Sequence, residues 1–190
     1  HVDFRGNERA PEFLLRNVLT GHAEGARLAP AGLEVSFRER HGMPPKQELL
    51  TVPDGAIVDA GFDRFIESNW EALVRGDTLV RPFLVPSRLQ FMDFRIRRVE
   101  VQGGREGVVF RLSIDSLLLG LVAPDITVVY DTSTRTLVEY VGVSNMRDAE
   151  GNNQDVRIRF GDRRNLTAAL EGSAGAGVSS RSDTGNPSRP

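Results

Sequence analysis

The stretch Val108-Val109-Phe110-Arg111-Leu112-Ser113-Ile114-Asp115 decides the fold class. Val108, Phe110, Leu112 and Ile114 fall on one side of an extended chain, and Val109, Arg111, Ser113 and Asp115 on the other. Such period-two alternation predicts a half-buried antiparallel strand. Upstream, Phe91 to Val101 is also strand-like. Phe94 and Ile96 share a face, Arg97-Arg98 intervenes, and Val99 and Val101 resume in the opposite phase, which predicts a β-bulge. Gly103-Gly104-Arg105-Glu106-Gly107 supplies a turn, so the two strands form a hairpin.

The pattern repeats downstream. Ile126, Val128 and Tyr130 alternate with Thr127 and Val129. Asp131-Thr132-Ser133-Thr134 is rich in side chains that bond their own backbone, a turn signal. The return strand, Thr136 to Val143, is apolar on both faces and is expected to be central and covered on both sides. After a turn at Asp148–Asn153, Val156, Ile158 and Phe160 alternate with Arg157 and Arg159. Residues 2–5, 12–19, 33–38 and 47–52 are further strand-like pieces, punctuated by Pro30, Pro44 and Pro45. Ser116 to Ala123 reads as a helical turn or a buried connection.

Phe62, Phe65, Ile66, Trp70, Leu73 and Val74 recur at spacings of three and four, which predicts a helix over Phe62–Arg75. Asp59 or Asp63 suits its positive N-terminus, and Gly76 its left-handed end. The expected fold is therefore mainly β within the α+β class. It is a curled antiparallel sheet or incomplete barrel of about seven to nine strands, wrapped on one principal helix.

Residues 1–165 read as a single domain. Residues 166–190, rich in Gly, Ser and Pro, read as a flexible tail that buries too little to order itself. The chain begins at His1 and not Met, and is expected to be a processed or partial chain.

Composition excludes several chemistries. The 190 residues include no cysteine, so disulfides, thiolate catalysis and cysteine metal sites are ruled out. A net charge of −2 argues against nucleic-acid binding driven by bulk charge. Arginines at 95, 97, 98, 157, 159, 163 and 164 read as solvated sheet faces. No apolar run approaches the roughly 20 residues of a transmembrane helix. His1, His22 and His41 lack ligand spacing and read as loop residues, so no metal and no cofactor are expected.

Two site readings stay open from the residues. Phe62, Phe65, Ile66 and Trp70 on the helix, with Phe94, Phe110 and Tyr140 on strands, form either a packed core or the wall of an apolar-ligand pocket. Asp59, Asp63 and Ser87 are the candidates for a hydrolase-type alternative, with Arg88 beside them. A third possibility is an interaction scaffold that pairs through an exposed sheet edge.

The segments Asp59-Ala60-Gly61-Phe62-Asp63-Arg64-Phe65, Phe83-Leu84-Val85-Pro86-Ser87-Arg88 and Tyr140-Val141-Gly142-Val143-Ser144-Asn145, with Trp70, Leu73, Gly76, Tyr130-Asp131, Leu137 and Gly151, resemble a group of uncharacterised bacterial exported proteins. They are also similar, at a distance, to the periplasmic lipoprotein-localisation carriers. The resemblance spans about residues 55–160. It implies an incomplete antiparallel barrel with a helical lid over an apolar cavity, with first strands expected upstream of His1. It further implies non-catalytic binding of a lipid or other hydrophobic ligand at the cell envelope.

Overall fold

A computed structural model describes residues 1–5, 10–100, 107–116, 124–148 and 150–161. The tail 166–190, the tip of the Gly103–Gly107 turn, most of Ser116–Ala123, Val101, and the arginines at 163 and 164 lie outside the described residues. The protein is mainly β, with two antiparallel sheets that do not close into a barrel.

The first sheet is a meander of β1 (Val2–Asp3), β2 (Glu12–Arg16), β3 (Ala23–Ala29), β4 (Gly32–Arg38) and β5 (Lys46–Leu50). The second holds β6 (Leu79–Val85), β7 (Gln90–Val99), β8 (Val108–Ile114), β9 (Ile126–Tyr130), β10 (Leu137–Arg147) and β11 (Asn153–Arg159), again with sequence neighbours paired. The expectation of one sheet thus becomes two meanders. Sequence periodicity reports strands, whereas sheet partition depends on where the connection breaks. Here the helical segment separates β5 from β6.

That segment is α1 (Gly61–Ser68) followed by α2 (Trp70–Arg75). Asn69 interrupts the single expected helix: its φ is −116°, and its side-chain amide donates to the Phe65 carbonyl at 2.8 Å. The apolar stripe nonetheless runs on across the break, with Phe65, Ile66, Trp70 and Leu73 all buried. Neither Asp59 nor Asp63 caps α1; Ala60 stands at the cap position without a side-chain bond. Gly76 does end α2 in the left-handed conformation, at φ 107°.

The helices lie on one face of the second sheet. Trp70 meets Phe110 edge-on, with ring centroids 5.8 Å apart, and Tyr130 at 6.2 Å. Ile96, Val108, Leu112 and Val128 complete this core. Tyr130 donates its phenol hydrogen to Asp63 Oδ1 at 2.5 Å, so the polar end of a buried ring is satisfied from α1. A smaller core forms under the first sheet, from Phe13, Ala26, Leu33 and Val35 against Val58 and Leu84.

β7 and β8 pair in unbroken register from Phe94↔Ile114 to Val99↔Val109, so the expected bulge at Arg97-Arg98 is absent. Arg98 takes a helix-facing position across from Phe110, and its guanidinium donates to the Val74 carbonyl at 2.8 Å. It supplies a donor at the C-terminal end of α2, where carbonyls lack intrahelical partners and a positive charge is favoured. An exposed arginine on the helix-facing side of the strand is what mimicked the phase switch.

β10 lies one strand in from the edge and is half-buried along most of its length, not covered on both sides. Glu139, on the face away from the helices, is its buried residue and is bonded by Arg157 and Arg159 of β11. On the same face Arg95 pairs with Asp115, and Arg111 with Asp125 at 3.6 Å. The basic stretches are thus largely matched by acids.

Two strands escaped the sequence reading. β3 carries Ala, Gly and Glu, poor strand formers that are tolerated between β2 and β4 because their small side chains let the neighbours approach. β6 contains Pro82 and is an edge strand. Its outer edge is covered by Ile57, whose N–H donates to the Pro82 carbonyl at 2.8 Å and whose carbonyl accepts from the Leu84 N–H at 3.0 Å. β5 is the exposed edge of the first sheet.

Candidate functional site

The proposed aromatic set assembles in one cluster. Phe65, Ile66, Trp70 and Phe110 are buried within it, and Phe62, Phe94 and Tyr140 pack against it half-buried. Phe62, Phe83 and Phe94 form a chain of rings with centroid spacings of 6.3 and 5.5 Å, leading outward from the core. This chain reaches a cleft of about 210 Å³ between the two sheets.

The cleft has two chemically distinct ends. Phe83, Phe94, Leu112, Ile126 and Val143 line it on the side of the second sheet. His22, Glu24, Asn145 and Arg147 line it where the sheets meet, and Ser87, Ser144 and Asn153 also contribute. Of the aromatic set proposed from sequence, Phe94 is the member that lines it.

A bulge builds the polar end. Val143 pairs with Asp155 and Arg147 with Asn153, so four steps along β10 oppose two along β11. The surplus residues fall between Val143 and Arg147, and bulges commonly re-aim side chains. Asn145 thereby donates to Glu24 Oε1 at 3.0 Å. Arg147 lays its guanidinium 5.5 Å from the centroid of the Phe37 ring on β4, and donates to the Gly151 carbonyl at 2.6 Å.

His22 and Glu24 are the buried titratable pair. His22 is 1% exposed and Glu24 6%. His22 Nδ1 lies 3.1 Å from the Arg38 carbonyl, and since a carbonyl only accepts, this nitrogen carries the hydrogen of the neutral ring. Nε2 then presents a lone pair 3.5 Å from Glu24 Oε2. Burial pushes the Glu24 carboxyl above its ordinary range, and the charge of Asp59 adds to that. Burial, then the charge of Arg147, holds His22 below its ordinary value. The pair is thus driven toward its neutral forms.

The loop reading of His22 is therefore corrected: it is a core residue at the entry to β3. The signal that could have found it is the alternation His22, Glu24, Ala26, Leu28, in which a carboxylate occupies an inward position. Asn145 and Arg147 left no such trace, because the bulge that redirects them arises from strand pairing.

The three hydrolase candidates have different surroundings. Asp63 is taken up by Tyr130. Asp59 precedes α1 with a left-handed φ of 44°, and burial raises its pKa. Ser87 lines the cleft, but among the described residues no hydrogen bond joins it to His22 or Glu24. Among the described residues no three acids or histidines are grouped to hold a metal ion, and no helix is long and apolar enough to cross a membrane.

A larger trough of about 500 Å³ lies on the other face of the first sheet, lined by Leu14, Gly25, Arg27, Glu34 and Leu49 among others. Arg27 and Glu34, cross-strand neighbours in its lining, pair with each other at 2.5 Å. The intersheet cleft is the stronger site, because buried titratable groups and an apolar wall meet there. Comparison with known protein families, with curated proteins and with solved structures found no match.

Proposed function

We propose that the protein binds a lipid or other hydrophobic ligand non-catalytically, and that the intersheet cleft receives it. The observation that carries this reading is the apolar wall of Phe83, Phe94, Leu112, Ile126 and Val143, which lies beside a polar end. Affinity would come from apolar area removed from water, at about 25 cal/mol per Å². A volume of about 210 Å³ holds the bulk of about seven waters. It is smaller than the roughly 300–1,000 Å³ of sites that enclose drug-sized molecules. The cleft is therefore suited to one short chain, or to the end of a longer one.

The cell-envelope setting belongs to the same proposal and rests on the expected resemblance alone; fractionation of the native host tests it. Binding is tested by native mass spectrometry with short-chain amphiphiles, using the wild-type protein and Val143→Phe, which fills the apolar wall. The expected result is a bound mass that disappears in the variant. Failure of every amphiphile to bind the wild-type protein would overturn the reading.

A further inference from the structure

We propose that the ligand of the cleft is a fatty carboxylate, whose two oxygens bind the open edge of the Arg147 guanidinium. This rests on the ligand-binding reading above and deepens it by naming the ligand class.

Arg147 lines the cleft half-buried, and its contacts there are neutral. Its Nη1 donates to the Gly151 carbonyl at 2.6 Å, and its guanidinium lies 5.5 Å from the centroid of the Phe37 ring. Among the described residues no carboxylate forms an ion pair with it, whereas Arg157 and Arg159 of β11 share Glu139. Its Nε is buried without a hydrogen-bond acceptor. Nε and Nη2 are parallel donors along one edge of a guanidinium, spaced to take both oxygens of one carboxylate. A partly desolvated cation with an unfilled donor is costly, and an anion that fills the donor relieves both costs.

The groups around that edge accommodate a negative charge. Glu24 is the acid in the cleft lining, and burial favours its neutral form, as it does for Asp59 behind it. His22 is 1% exposed, and its Nε2 is likewise buried without a hydrogen-bond partner. A carboxylate held at Arg147 favours a proton on Glu24 and on His22 Nε2, so neither group opposes it. Ser144 accepts from the Met146 N–H at 3.1 Å, which leaves its hydroxyl hydrogen to donate. Phe83 and Phe94 supply the apolar surface for the chain. A neutral head group would leave the Arg147 charge unpaired, and an ammonium would add a second cation beside it.

The test uses three probes with the same chain: octanoate, octanol and octylammonium. Each is titrated below its aggregation limit into the full chain and followed by calorimetry. Octanoate is expected to bind at least about tenfold tighter than the other two. Arg147→Met keeps an apolar stem against Phe37 and removes the charge. It is expected to weaken octanoate at least about tenfold and to leave octanol unchanged. NMR of the wild-type arginine Nε–H groups tests the contact without relying on the folding of the variant: the Arg147 resonance is expected to move downfield with octanoate and not with octanol. Octanol or octylammonium binding as tightly as octanoate would overturn the head-group inference and leave the cleft reading standing. Wild-type octanoate affinity in Arg147→Met, or an Nε–H resonance that octanoate does not move, would also overturn it. Binding of none of the three would bring down the cleft reading itself.

Discussion

Asn145 on β10 donates its side-chain amide to Glu24 on β3 at 3.0 Å, a polar link between the two sheets. The link satisfies one carboxylate oxygen, but burial still penalises the charge. A buried acid with a raised pKa stabilises the fold when protonated, and that contribution is lost as pH rises from the unfolded value through the folded one.

Glu24→Gln keeps an oxygen for Asn145 and removes the ionisation. The variant is expected to have a higher urea midpoint than wild type at pH 8 and a similar one at pH 4. His22 works in the opposite sense: its depressed pKa gives stability that is complete above its unfolded value and is lost as pH falls. In Glu24→Gln the remaining dependence around this site should therefore rise with pH. Urea melts across pH 4–8 measure both slopes.

Trp70 and Phe94 belong to one aromatic cluster but meet different surroundings. Trp70 is 6% exposed and packs on Phe110 and Tyr130; Phe94 is half-buried and lines the cleft. Trp70→Ala is expected to cost about 3–5 kcal/mol of stability. Phe94→Ala should cost less stability and lose more ligand affinity. Chemical denaturation and calorimetry on the same two preparations compare the effects directly.

Asp131 organises the β9–β10 turn. Its carboxylate accepts from the Ser133 hydroxyl, and from the Thr134 backbone and hydroxyl, which holds its pKa down to about 2. A depressed acid gives stability present above its unfolded value of 3.8 and lost as pH falls toward 2. Asp131→Ala should remove that acid-sensitive component. Carbon-detected NMR titration of the wild-type side chain should show a midpoint near 2.

Gly107 enters β8 with a φ of 112°, and a Cβ placed there would lie 2.5 Å from the Tyr130 carbonyl oxygen. Gly107→Ala therefore meets both a disfavoured backbone conformation and a backbone clash. A loss of more than about 1 kcal/mol is expected, measurable as a lowered urea midpoint.

Much of the fold can be read from local pattern. Alternation at Val108–Ile114 and Ile126–Tyr130 places both strands, because a half-buried strand repeats every two residues whatever its partners are. The stripe from Phe65 to Leu73 and the stop at Gly76 place the helical segment for the same local reason. The tertiary structure decided what periodicity does not encode. Arg98, on the helix-facing side of its strand, looked like a bulge because its partner, the Val74 carbonyl, is 24 residues away in sequence. The real bulge lies between Val143 and Arg147, and it exists only through pairing with β11. β3 was invisible because its small residues are explained by neighbouring strands and not by their own propensity. The cleft follows from the last two facts together. Glu24 comes from β3 and Asn145 from the bulge, separated by 121 residues, and only the packing of one sheet against the other brings them within a hydrogen bond.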